Sequence, residues 1–223
     1  MTFIIHTFKR PEQLARLLKS IKRYYPEVET IVYDDSDHDR GLSYGRNWLV
    51  SNVKTDYYVL LDDDFVFTEK TKIDLLKKKL DEGYDIVAGA LEQDGKIRHF
   101  EGQYDLKDGH LKYLKKEPYD FVFNFFMAKK SVSGWDERLK LAEHTAFFLS
   151  NKGKWKIGYE PNCVITHIPY EYGEYVAFRN RAGKYFDDYM VWNGLKTVTN
   201  LDNGVYKLGD YKKLQKDYED SIS

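Results

Sequence analysis

The chain has 223 residues, 42% of them hydrophobic, and its 35 basic and 36 acidic side chains nearly cancel. That is apolar material enough for one domain, and too balanced a charge to hold nucleic acid or a membrane surface by field alone. A lone cysteine, Cys163, excludes an internal disulfide; with no basic leader and no apolar run near about 20 residues, a cytoplasmic protein without a membrane span is expected.

The first apolar run, TFIIHTF, reads as a strand. In PEQLARLLKSIKRYY, Leu14, Leu17, Leu18 and Ile21 recur at helical spacing behind Pro11, which suits a first helical turn. ETIVYDD reads as a second strand, SYGRNWLVSNV as a short helix and YYVLL as a third strand. In EKTKIDLLKKKL, Ile73, Leu76 and Leu80 share one face, the lysines form a solvated one, and Gly83 closes the helix. DIVAGAL is a fourth strand. This alternation predicts an α/β fold with a mainly parallel central sheet and helices on both faces.

The second half is aromatic and β-prone, which predicts a smaller antiparallel region with a hairpin turn at KDGH. A helix follows near Glu143 to Asn151, then two short strands around KWKIGYE and CVITHIP. A single domain over 1–223 is expected, with a ligand-binding half to residue 95 and a second half over 96–190. Residues 191–223 are expected to be a tail or a linker to further domains in a longer chain.

Parallel α/β sheets bind ligands beyond the carboxyl ends of their strands. Two acidic clusters fall there: Asp34, Asp35 and Asp37 after the second strand, and Asp62, Asp63 and Asp64 after the third. Three adjacent carboxylates between Leu61 and Phe65 repel one another and lose solvation. A divalent cation relieves both costs, and hard oxygen ligands suit Mg²⁺ or Mn²⁺, which keep waters and take substrate phosphates. In an extended segment Asp62 and Asp64 face one way and Asp63 the other. The plain alternative is a solvated acidic turn, against which the flanking apolar residues and the second acidic strand end both weigh.

Taken in order, HTFKRPEQLARLLKSI, VYDDSD, GRN, LLDDDF, NFFMAKK, WDERLKLAEHTAFFL and the late VITH resemble the GT-A glycosyltransferases. The likeness is to the inverting, family-2-like enzymes, nearest the branch of the β-1,4-N-acetylgalactosaminyltransferases, and it covers residues 2–170 or so. It implies metal-dependent transfer from a nucleotide sugar, usually a UDP-sugar, to a glycan or other hydroxyl acceptor. Asp34 or Asp35 would then meet the base, with Thr7, Arg10, Arg46 and Asn47 lining the nucleoside side. Asp63 stands among these donor-side residues, Asp62 would touch ribose or metal, Asp64 would bind Mn²⁺ or Mg²⁺, and His167 would complete the metal shell. Each has a simpler reading: Arg46 pairing with an aspartate, Thr7 capping a turn, His167 satisfied in the core.

An inverting transfer needs a general base. Glu143 matches the first member of the family's Glu-Asp pair, but His144 stands where the second acid is usual. A carboxylate is ionised at neutral pH, so Glu143 is the expected base, with His144 orienting it or binding acceptor. Trp135, Asp136 and Glu137 are candidate acceptor contacts. Trp135 reads equally as core, and Asn124 either bonds backbone or reaches the acceptor. Two other functions fit parts of the pattern. LLDDDFV resembles the motif of haloacid-dehalogenase phosphohydrolases, with Asp62 as nucleophile and Asp64 as acid/base, but that motif ends a first strand and leaves DDSD, GRN and AEH idle. A non-catalytic sugar-binding relative of the fold is the other, disfavoured because an unused acid cluster is costly.

Overall fold

The computed structural model describes residues 1–169 and 173–208. Its first half runs β1 (Thr2–Thr7), α1 (Pro11–Tyr24), β2 (Thr30–Asp34), α2 (Leu42–Asn52), β3 (Tyr57–Asp62), β4 (Phe65–Val66), α3 (Ile73–Asp81) and β5 (Ile86–Gln93). The second half adds β6 (Lys96–Arg98), β7 (Gln103–Lys107), β8 (His110–Leu114), β9 (Phe126–Lys129), α4 (Glu143–Ser150) and β10 (Ile157–His167). It closes with α5 (Glu174–Arg179), α6 (Ala182–Trp192), β11 (Thr197–Thr199) and β12 (Val205–Lys207).

The eight-stranded central sheet has the order β2-β1-β3-β9-β5-β10-β4, with β6 beside β5. β1 pairs in parallel with β2 and β3, and β5 with β10. The fourth predicted strand, β5, does not neighbour the third. β9, from the NFFMAKK segment, enters between them antiparallel to both. Local alternation of strand and helix carries no sign of this, because β9 comes from far downstream. Since β9 opposes both β3 and β5, those two point the same way, and the sheet stays mostly parallel.

The two-residue period of the strands divides the core. Phe3, Ile5, Val59, Leu61, Val87 and Met127 pack on one face with Leu17 and Ile21 of α1 and Ile73, Leu76 and Leu80 of α3. Ile4, Leu60, Ile86, Ala88, Phe126 and Ala128 pack on the other with α2, α4 and α6. Helices therefore cover both faces, and among the described residues no helix is long and apolar enough to cross a membrane.

A second sheet has the order β12-β11-β8-β7. Its β7–β8 hairpin turns at Asp108 and Gly109, with φ of 51° and 78°, the left-handed pair that a two-residue hairpin loop requires. β11 joins β8 in parallel, so this sheet is mixed rather than antiparallel. The expected tail is thus folded as far as residue 208, while 209–223 lie outside the described residues.

The two short strands expected around KWKIGYE and CVITHIP are one strand, β10, broken in register between Glu160 and Val164. The bulge has a requirement across the ladder. A Cβ on Gly89 would lie 2.5 Å from the Cys163 carbonyl oxygen and 2.3 Å from the Phe125 ring. Beyond the bulge β10 runs on to pair His167 with Phe65, which sets the histidine beside the acidic turn. Gly89→Ala should accordingly lower stability by about 1–3 kcal/mol through forced displacement of this ladder, measured by urea denaturation. An unchanged midpoint would contradict the close approach.

Candidate active site

β3 ends at Asp62 and β4 begins at Phe65, so Asp63 and Asp64 form the turn between them. The alternation of an extended chain stops at that point. Asp63 therefore does not face away from the other two: all three aspartates line one cavity of 340 Å³ at the carboxyl ends of β1 and β3, together with Thr7, Arg10, Arg46, Glu143, His144 and His167.

Two buried arginines hold these acids. Arg10 pairs with Asp63 and, at 2.7 Å, with Asp64. Thr7 Oγ1 donates to Asp63 at 2.6 Å. Burial pushes the Asp63 carboxyl up to about 7, against Arg10 and Thr7, which favour its charge. Arg46 bonds Glu143 and reaches Asp62 at 3.2 Å. Burial alone would raise the Glu143 carboxyl, but Arg46 and the backbone N–H of Glu143 outweigh it and hold the group below its ordinary range.

Glu143 and His144 open α4 behind Ala142, whose φ of 59° is left-handed, a strained setting for a residue with a Cβ. His144 Nε2 lies 2.6 Å from the Val122 carbonyl. A carbonyl only accepts, so Nε2 carries the proton and Nδ1 the lone pair. Burial lowers the His144 pKa to about 4, so the ring is neutral at neutral pH. It packs on Phe100 and Phe148. A second, larger cavity of 860 Å³ adjoins the first and shares Asp62, Asn124, Ala142, His144 and His167 with it.

His167 Nδ1 is 3.2 Å from Gln93 Oε1. An amide oxygen only accepts, so Nδ1 donates to it, and the other ring nitrogen, Nε2, lies 3.3 Å from Asp64 Oδ2. The other Asp64 oxygen, Oδ1, is buried without a partner. An imidazole nitrogen beside a carboxylate with an orphaned oxygen suits a divalent cation. Among the described residues no group of three or more His, Cys, Asp and Glu gathers to hold one alone. The fit is thus to a cation held by Asp64 and His167 that takes its other ligands from water and phosphate. Asp62 is turned instead to Arg46 and, at 3.5 Å, to Asn124.

Other expected positions lie away from the cavities. Asp34 accepts from the Ser36 amide at 3.0 Å. Asp35 is fully buried, with both oxygens taken by the amides of Arg40 and Gly41 at 2.8 and 2.7 Å, so it shapes the loop into α2. Asn47 bonds the Trp135 backbone and Glu137. Trp135 is buried and stacks on Phe147 at 4.1 Å, and Asp136 binds Arg138. The WDE segment therefore braces α2 against α4 and does not line either cavity. Asn124 does line both. Sequence reasoning missed His6, which lines the smaller cavity and sets its buried Nε2 3.7 Å from Asp35 Oδ2; a polar residue closing an apolar strand was the available sign. It also missed Tyr175, Phe178 and Arg179 of α5, which carry no local signal.

Residues 36–132 match the family described as "Glycosyl transferase family 2". The chain is 32% identical over 200 residues to beta-1,4 N-acetylgalactosaminyltransferase 2 of Mus musculus, covering 75% of this chain and 39% of that protein. It is 30% identical over 214 residues to beta-1,4 N-acetylgalactosaminyltransferase 1 of Homo sapiens, covering 75% and 38%. The chain thus spans less than two fifths of the length of these curated relatives. Among solved structures, S. aureus TarS 1-349 superimposes with a TM-score of 0.57 at 11% identity, over 86% of this chain and 65% of that one. TarS 1-349 in complex with UDP-GlcNAc does so with a TM-score of 0.57 at 12% identity, over 86% and 67%. These structural likenesses establish the fold, GT-A.

Two outcomes follow from the electrostatics. Arg46→Met should destabilise the chain by about 3–5 kcal/mol by leaving Glu143 buried and unpaired, and adding Glu143→Gln should recover much of that loss; equal losses by urea denaturation would refute the pairing. His144 has a folded pKa of about 4, below its unfolded value of about 6.5. The unfolded chain binds that proton first, so stability due to neutral His144 is lost as pH falls from about 6.5 to about 4. Across that window the native chain should lose about 2 kcal/mol more than His144→Phe. Parallel profiles would show that His144 is not buried neutral.

Proposed function

We propose, from the premise that this chain belongs to the family-2-like glycosyltransferases of GT-A fold, that it transfers a sugar with inversion from a nucleotide diphosphate sugar to a hydroxyl acceptor. The observation that carries the reading is the smaller cavity, where acids and buried arginines meet the beginnings of three helices. Arg10, Leu42, Ala142 and Glu143 stand at the N-termini of α1, α2 and α4 and all line it. None of these three helices has a side-chain cap, and their positive dipole ends lie at the cavity wall, where they favour an anion. A diphosphate suits that field.

A UDP-sugar is the favoured donor. The TarS neighbour is solved with UDP-GlcNAc. Asp64 and His167 would hold Mn²⁺ or Mg²⁺, which when bound supplies Lewis-acid neutralisation of the leaving diphosphate. Arg10 adds charge-assisted hydrogen bonds on the same side. Glu143, ionised and fixed by Arg46, accepts the proton of the acceptor hydroxyl. The acceptor occupies the larger cavity, whose shared wall of Asn124, Ala142 and His144 brings a hydroxyl next to Glu143, with Phe100, Phe123 and Phe186 offering aromatic surface to a sugar ring.

Incubation with a panel of UDP- and GDP-sugars and Mn²⁺ should release UDP slowly from at least one UDP-sugar, and faster once an acceptor is present. Glu143→Gln should lower kcat by about 10²-fold while UDP binding survives. Release from GDP-sugars alone would reverse the nucleotide assignment, and full activity of Glu143→Gln would move the base to His144.

A further inference from the structure

Arg10 and Asp64 are joined, but neither is satisfied. The guanidinium sits 2.7 Å from Asp64 Oδ2, with its side chain only 2% exposed, and the Tyr175 ring covers it at 4.1 Å. Arg10 Nε and Asp64 Oδ1 are both buried without a partner. An unused N–H asks for an anion, and an unused carboxylate oxygen asks for a cation. A ligand carrying both signs at once, a divalent cation with a phosphate, satisfies the two together. A divalent cation by itself does not. It must approach Asp64 on ground already held by a guanidinium, and like charges at that range repel strongly out of water.

We propose that Arg10 is an exchangeable counter-cation. In the empty site it neutralises Asp63 and Asp64 and opposes the binding of a lone divalent cation. When a nucleoside diphosphate enters, the guanidinium keeps Asp63 and passes its Asp64 contact to a phosphate oxygen, which frees Asp64 for the metal. This rests on the donor reading above and adds a regulation to it: metal and nucleotide bind as a coupled pair, and part of the coupling runs through Arg10. By reciprocity, whatever the nucleotide adds to metal affinity, the metal adds to nucleotide affinity. Removing Arg10 therefore has opposite signs for the two ligands, whereas a purely structural arginine would weaken both.

The test measures binding, without turnover. Free Mn²⁺ is followed by electron paramagnetic resonance, and UDP binding by calorimetry, on the whole chain, Arg10→Gln and Arg10→Lys. Arg10→Gln should bind Mn²⁺ alone about tenfold more tightly or better, and UDP in the presence of Mn²⁺ about tenfold more weakly. Arg10→Lys, whose ammonium cannot span two carboxylates, should shift both affinities the same way by less. Equal or weaker Mn²⁺ binding in a folded Arg10→Gln chain overturns the proposal. If that variant does not fold, Arg10→Lys decides, and Mn²⁺ affinity no better than that of the native chain overturns it. Failure of the native chain to bind Mn²⁺ even with saturating UDP overturns the metal-dependent donor reading, and the exchange with it. Mn²⁺–UDP binding without a gain in Arg10→Gln overturns the exchange alone.

Discussion

Two buried guanidinium groups hold four carboxylates at one end of the sheet, and the geometry of the site depends on them. Arg10 takes Asp63 and Asp64, and Arg46 takes Asp62 and Glu143. Without these pairs, adjacent acids beside Leu61 and Phe65 would repel one another in a poorly solvated pocket. The pairs join distant parts of the chain. Arg46 lies on α2, Asp62 ends β3 and Glu143 begins α4, so one arginine fixes the acid cluster relative to the helix of the proposed base. Such an arrangement is seldom a gain in stability over an apolar core. Its value is placement: carboxylates held at fixed positions next to a cavity.

Local rules give way where the site is built. Arg10 sits at the cap of α1, a position where Ser, Thr, Asp or Asn would stabilise by about 1 kcal/mol, but its side chain is turned to the acids. Ala142 takes a left-handed conformation at the cap of α4 that glycine would adopt more easily. The α2 cap is Gly41, φ 97°, whose amide is taken by Asp35. Departures of this kind at the starts of α1 and α4, both lining one cavity, are what a functional site superimposed on a stable scaffold looks like. The bulge in β10 belongs with them: it needs Gly89 opposite and carries the strand on to His167 beside the acid turn.

Much of the scaffold could be read along the chain because its signals are local. Helical spacing placed α1 and α3, and strands ending in aspartates marked the ligand end of a parallel sheet. The acidic run was the clearest pointer, and Thr7, Arg10, Arg46, Asp62, Asp64, Glu143, His144 and His167 do meet at one cavity. What stayed hidden is non-local. The insertion of β9 between β3 and β5 is set by pairing across the sheet. Trp135 could have been a sugar platform or a core ring, and only its stack on Phe147 decides. Asp35 could have met a base, and only the amides of Arg40 and Gly41 show both its oxygens occupied. Asp63 was assigned to the opposite face by an alternation that ends one residue before it.

The proposed transfer requires Asp64 and His167 as the metal-holding pair of a nucleotide-sugar site. The most direct measurement is the anomalous diffraction of Mn²⁺ in crystals of this chain grown with UDP. One strong peak is expected, bonded to Asp64 and His167 and to a phosphate oxygen of the nucleotide. Ordered UDP in the cavity with no peak there, or with Mn²⁺ bound elsewhere, would contradict it.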